Sequence, residues 1–161
     1  MIQLACPKCL APLDLSNHDG VTCDSCGETY PTIDRIHRFL PADRLAHYQP
    51  FLRDYTTVRL AEGRGSGDAG YFRRLPEPTP GGPIEWQWNL RRRTWSTVRD
   101  HVLAELGDHL VVVDVGAGVG WLSNRLHELG HEPLAVDVTV DGDDGLGAAR
   151  HYGPPWQRYQ A

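Results

Sequence analysis

The sequence has no cysteine after Cys26, a single lysine among its sixteen basic residues, and no stretch near the ~20 apolar residues that a membrane helix needs. Each absence narrows the field. Without a long apolar run, nothing is expected to span a bilayer. The opening MIQLACPKC has neither a basic start nor a long apolar segment, so it does not read as a secretion signal. Cytoplasm is the default expectation. With a net charge of −5 and no continuous basic stripe, a nucleic-acid partner such as RNA is disfavoured, because phosphate binding calls for a basic face. What is present, 40% hydrophobic and 23% charged residues, fits a folded soluble chain. The 161 residues allow one ordinary domain, or a small module plus part of another, and contain no internal repeat.

All four cysteines lie near the start, as CPKC from Cys6 to Cys9 and CDSC from Cys23 to Cys26. Two CxxC pairs a short hairpin apart have the spacing of a metal site. Each tight turn aims two thiolates at one point, and the second pair completes a tetrahedron. Pro7 and Gly27 suit such turns. Two disulfides would require an oxidising compartment, which nothing in the sequence indicates. A thioredoxin-like redox site would need one CxxC beside a βαβ pattern rather than two paired turns. Four thiolates form a closed site that holds a fold and does no chemistry, and a piece of about forty residues has too little core to fold without such a staple. A structural Zn2+ on Cys6, Cys9, Cys23 and Cys26 is therefore expected. The stretch LACPKCLAPL…VTCDSCGETYPTIDRIHRFLP resembles the zinc-ribbon family of small methyltransferase-activating subunits, which also occurs fused to methyltransferases. Tyr30-Pro31 and Phe39-Leu40-Pro41 match its pattern. Arg35 departs from it, since the family often has a glycine turn there.

Residues 42–107 read as a helical linker or cap. Pro50 suits the first turn of a helix, and Phe51, Tyr55 and Val58 follow at helical spacing. EGRGSGDAG (62–70) and PEPTPGGP (76–83) are loops. A second helix is expected from about Trp95 to Leu106, with Val98, Val102 and Leu106 on one face and Gly107 as its stop. EWQWNLRRRTW mixes tryptophans with an arginine triplet. Such a set can stack on a nucleotide or phosphate, although tryptophans more often fill a core while arginines face solvent. The eight histidines are scattered without ligand spacing.

Residues 110–121 read LVVVDVGAGVGW. The apolar run is a parallel strand of the kind covered on both faces, ending at Asp114, and three alternate glycines then turn the chain into a helix. Leu122, Leu126 and Leu129 line one side of that helix and Gly130 closes it. A second strand, PLAVDV, carries Asp137, roughly twenty positions beyond Asp114, which is the logic of nucleotide-binding βαβ units. A pyrophosphate fingerprint would want a third glycine at the position held by Trp121, whereas here it comes one residue early, at Gly120. Asp143 or Asp144 is expected to cap a further helix containing Leu146, Ala148 and Ala149, and WQRYQA reads as the start of a third strand.

The D-x-G-x-G-x-G spacing resembles the S-adenosylmethionine loop of class I methyltransferases. The resemblance implies an α/β chain with three parts: a zinc ribbon (1–41), a helical region (42–107), and part of a Rossmann-like domain (108–161). It implies a cofactor-binding set of Asp114, Gly116, Ala117, Gly118, Gly120, Asp137 and Val138. In that set Asp114 and Gly116 lie near the methionine amino group, and Gly118 flanks the nucleoside. Asp137 accepts from the ribose hydroxyls, a role that also makes physical sense because a carboxylate offers two acceptors to a vicinal diol. Such sheets have about seven strands, so the sequence is expected to be an N-terminal fragment of a longer methyltransferase, too short to turn over alone. The resemblance marks no catalytic base here. The methyl acceptor is open, with a small molecule favoured over RNA. The alternative is a non-catalytic docking or activating module built on the ribbon.

Overall fold

Behind the two cysteine turns, alternating residues form a small antiparallel sheet: β1 (Gly20–Thr22), β2 (Thr29–Ile33) and β3 (Ile36–Arg38). Val21, Tyr30 and Ile36 point inward, as a period of two requires. The computed structural model describes residues 3–16, 20–64, 67–140, 142–153 and 156–161. Ile33 pairs with Ile36, so the β2–β3 hairpin has a two-residue loop, Asp34 and Arg35, with φ of 53° and 63°. Positive φ at both central positions is the type I′ geometry that matches strand twist. The hairpin therefore keeps the shape a glycine would favour, although Arg35 must adopt a left-handed backbone to do so.

The middle of the chain is helical, with different boundaries from those read in the sequence. α1 spans Ala42–Ala61, so Pro50 lies inside it rather than in its first turn, and none of its residues is buried. Pro50 therefore leaves one backbone hydrogen bond of this helix unmade. α2 (Ala69–Arg74) starts at Asp68, whose side chain accepts from the Tyr71 amide at 2.7 Å. In the loop expected over 62–70, residues 65 and 66 lie outside the described residues. α3 (Glu85–Thr97) begins a full ten residues before the expected start at Trp95. It continues through a π-helical turn, Val98–Leu103, into a last turn, α4 (Ala104–Leu106), with Gly107 at φ 95° behind it. The π turn shifts the buried face. Leu103 packs inward with Trp95 and Leu126, while Val102 and Leu106, expected on the inner face, are exposed.

The remaining chain supplies three parallel strands: β4 (Val111–Val115), β5 (Glu132–Asp137) and β6 (Gln157–Gln160). Helix α5 (Trp121–Glu128) links the first two, and a 3-10 turn (Leu146–His151) precedes the third. That turn has no side-chain cap: Asp143 instead contacts Arg150 and His151, and Asp144 pairs with Arg59. The whole is a mixed α/β structure with one six-stranded sheet in the order β1-β2-β3-β6-β5-β4. β3 lies parallel to β6, with His37 opposite Tyr159 and Arg38 opposite Gln160, and the Phe39 amide extends the ladder to the Gln160 carbonyl at 2.8 Å.

The two halves also share a core. Cys6, Leu13, Val21, Cys23, Tyr30 and Phe39 from the cysteine module pack in one cluster with Leu134 and Tyr159 from the parallel strands. Tyr159 stacks on Phe39 at 5.7 Å and on His37 at 5.5 Å. On this face the module covers β6 and β5 but stops short of β4, where Val111, Val113 and Val115 stand exposed, Val115 at 79%. The expectation that this strand is covered on both faces is thus met on one face only. α5 covers the other, where Leu126 and Val112 meet.

Because Tyr159 belongs to the cysteine module's core as much as to the sheet, Tyr159→Ala should cost about 3–5 kcal/mol. The loss should appear as one cooperative unfolding transition, lowered in temperature, followed by circular dichroism. Two separate transitions, with only the later one unchanged by the substitution, would show that the shared core does not couple the halves.

Candidate functional site

The two cysteine turns are built alike. In the first, the Cys6 amide donates to the Ala11 carbonyl at 2.8 Å and the Leu10 amide returns to the Cys6 carbonyl at 2.9 Å. In the second, Cys23 donates to Glu28 and Gly27 to Cys23, both at 2.8 Å. The fifth position of each turn is left-handed, φ 71° at Gly27 and 62° at Leu10. Sequence reading anticipated that position for Gly27 and missed it for Leu10, which takes the same backbone at a steric cost.

These turns bring all four sulfurs within 4.8 Å of one another. Cys6 and Cys26 are 3.8 Å apart and Cys9 and Cys23 3.5 Å, far beyond a disulfide bond. A tetrahedron with ~2.3 Å metal–sulfur bonds has edges of about 3.8 Å, so the four thiols are positioned to bind a metal ion, and donor type and size suit structural zinc. Burial works to raise the Cys6 thiol, but the Tyr30 hydroxyl and the amides around Cys9 and Lys8 override it and bring it to about 6. At Cys26 the Glu28 amide works downward, yet burial and the neighbouring thiols push it up to about 12. Protein groups alone thus favour the thiolate at Cys6 and oppose it at Cys26, and a bound divalent cation would supply charge that favours ionisation of its ligands. Lys8 and Glu28 tie the two turns together across 2.6 Å.

The second site surrounds the glycine loop. A cleft of about 150 Å³ is lined by Gly116, Ala117, Gly118 and Val119 from the loop and by Asp137 from the end of β5. Gly116 and Gly118 have φ of 74° and 53°, and a Cβ built on either would meet nothing within 4 Å. Their backbone therefore faces open space, as close approach of a ligand requires. Asp137 points at the bend: Oδ2 accepts from the Gly118 amide at 2.7 Å, and Oδ1 from the Thr139 amide at 2.7 Å. Val138 lies behind it, its carbonyl held by the Gln160 amide group at 3.1 Å.

Three residues of the expected set sit away from the cleft lining. Asp114 is 8% exposed, and its carboxylate accepts from the Ser123 hydroxyl at 2.8 Å, tying β4 to α5. Burial raises its pKa, against the Ser123 hydrogen bonds that lower it. Gly120, also left-handed at φ 75°, is held by protein: a Cβ there would stand 2.8 Å from the Trp156 ring. Val138 meets the cleft only through its neighbour Asp137.

The roof of the cleft comes from the helical region, which sequence reading left without a site. Tyr55 and Arg59 of α1, Arg64 of the loop after it, Tyr71 and Phe72 of α2, and Trp88 and Arg91 of α3 all line it. Trp88 and Trp95 pack edge-on against Trp121 at 6.1 and 6.4 Å, which places these tryptophans in the core, whereas Trp86 is 67% exposed. Arg91 does stack, lying 4.9 Å above the Trp88 ring. Only the EWQWNLRRRTW composition hinted at that contact.

No protein-family model matches the chain, and comparison with curated proteins finds no significant match.

Tyr30 is the test of the metal centre, because its hydroxyl lies 3.2 Å from Cys6 Sγ and donates to it once the sulfur is a thiolate. Tyr30→Phe keeps the packing and removes that bond. Zinc affinity, measured by competition with a chromogenic chelator, should fall roughly ten- to hundredfold. An unchanged affinity would mean that the hydroxyl does not support the ligand set.

Proposed function

We propose that the cleft binds S-adenosylmethionine and that the protein serves methyl transfer to a small-molecule acceptor, with the four-cysteine module as a structural zinc site. The observation that carries this reading is the meeting of open, left-handed backbone at Gly116 and Gly118 with the Asp137 carboxylate in one cleft. The sheet supports it: β6, β5 and β4 stand in the order third, second, first, as in the first half of a doubly wound nucleotide-binding sheet.

The bound cofactor supplies an activated methyl group that an acceptor takes by in-line displacement. What the chain contributes is placement. Gly116 and Gly118 admit the ligand against the main chain, and Asp137 offers carboxylate oxygens to a ribose diol while bracing the loop through the Gly118 amide. Tyr71, Trp88 and Phe72 give the cleft an aromatic wall. A second cavity of about 330 Å³ adjoins it, and Tyr71 and Trp88 line both. That volume suits a small acceptor, in keeping with the chain's net charge of −5, which argues against RNA. The rival reading, a docking or activating module, draws on the uncovered valines of β4.

Calorimetric titration with S-adenosylhomocysteine separates the two readings. Saturable binding is expected, and Asp137→Ala should weaken it roughly tenfold or more, while circular dichroism reports whether the variant is folded. Absence of binding by the native chain would overturn the methyltransferase reading and favour the docking module. Normal binding by Asp137→Ala would remove the ribose assignment.

A further inference from the structure

We infer that Arg91 is the anion-recognition residue of the cleft, placed to take the carboxylate of a nucleoside ligand that bears an amino acid. This rests on the reading above and adds to it a specificity-determining residue that no motif marks.

Charge balance in the cleft singles out Arg91. Three guanidinium groups line the cleft: Arg59 from α1, Arg64 from the loop after it, and Arg91 from α3. Two are matched. Arg59 grips Asp144 through two hydrogen bonds, of 2.5 and 2.7 Å. Arg64 pairs with Glu62 at 2.7 Å and also donates to Gln87. Arg91 has no carboxylate within ion-pair distance among the described residues. Its polar contact is a long one, 3.4 Å to a Gln87 oxygen that already accepts from Arg64.

The acids of the cleft do not make up the deficit. Asp144 is taken by Arg59, Asp143 by Arg150 and His151, and Asp137 by the loop amide and Thr139. Burial works against the Arg91 charge, and the like charges of Arg64 and Arg59 add to that. A guanidinium stays protonated under such pressure, so an anion that enters the cleft meets a positive charge that no carboxylate among the described residues neutralises.

Position is fixed as well. Arg91 lies on Trp88, whose indole N–H donates to the Tyr71 hydroxyl at 3.1 Å and whose ring meets the edge of Trp121. A stacked planar fork on a held ring loses little entropy when it engages a carboxylate in two parallel hydrogen bonds. The cleft thus offers backbone and a carboxylate on one side and a lone cation on the other, complementary to a nucleoside that ends in a carboxylate.

The experiment compares two probes on the full chain: S-adenosylhomocysteine, and 5′-methylthioadenosine, which keeps the nucleoside and thioether but lacks the amino acid. The native chain should bind the first more tightly. Arg91→Gln should weaken S-adenosylhomocysteine roughly ten- to hundredfold and leave 5′-methylthioadenosine within about twofold, with Arg91→Lys between the two. Asp137→Ala, by contrast, should weaken both probes alike. Equal binding of both probes by the native chain, or an Arg91→Gln variant that binds S-adenosylhomocysteine as before or loses both probes equally, overturns the assignment while leaving the nucleoside site standing. Binding of neither probe by the native chain overturns the site and the assignment together.

Discussion

The pairing of β3 with β6 is the constraint on which the rest of this structure depends. A four-cysteine module alone has too little apolar surface to hold together, and three parallel strands with helices on one face leave the other face in water. Joined edge to edge, each supplies what the other lacks. Phe39 and Tyr30 bury Leu134 and Tyr159, and the backbone of β6 finds partners on both sides. The cysteine turns and the glycine loop are therefore both anchored on one sheet. Gln160 shows how short the path is: its backbone pairs with Arg38 of the cysteine module, and its side chain holds the carbonyl of Val138, next to Asp137.

Features set by near neighbours in the chain were legible in the sequence. The cysteine turns announce themselves because a thiolate pair at CxxC spacing has few other uses, and the glycine loop because three alternate glycines between a strand and a helix leave little choice of backbone. The third strand and Gly130 as a helix stop were legible for the same reason. Features set by distant parts of the chain were not. Nothing local to Ile36–Arg38 says that it will lie beside Gln157–Gln160. The π-helical turn at Val98–Leu103 moves Leu103 rather than Val102 to the inside, a choice made by Trp95 and Leu126. Pro50 reads as a helix start by its own chemistry, yet the helix already begins at Ala42 and runs through it. The arginine roof of the cleft is the largest omission. It joins Arg59 and Arg64 to Arg91, more than twenty positions further on, and no spacing rule connects them.

Charge in the cleft follows a pattern. Each acid near the loop is engaged by protein donors, and two of three arginines are engaged by acids. Pairing at partly buried positions mainly prevents the cost of an isolated charge and adds little net stability. It follows that such pairs position groups more than they stabilise the fold. Arg59 and Asp144 illustrate this, since their contact holds α1, which buries no residue of its own, against the segment after β5. The Arg59–Asp144 pair is thus a polar tie that keeps this part of the roof in place.

Gly120 explains why three glycines alternate where only two face open space. In a pyrophosphate fingerprint the last glycine lets helix and strand approach closely, and an indole at that position, as at Trp121, obstructs it. The structure moves the task back by one residue. Gly120, left-handed and 2.8 Å from Trp156 at the point where a Cβ would stand, is the small residue at a crowded contact. Trp121 then turns outward to meet Trp88 and Trp95. The glycines therefore divide by cause: Gly116 and Gly118 keep a cleft open, and Gly120 lets a tryptophan close the wall behind it. The same division accounts for Trp121, because the indole that would obstruct a pyrophosphate loop becomes the anchor for the helix that carries Arg91.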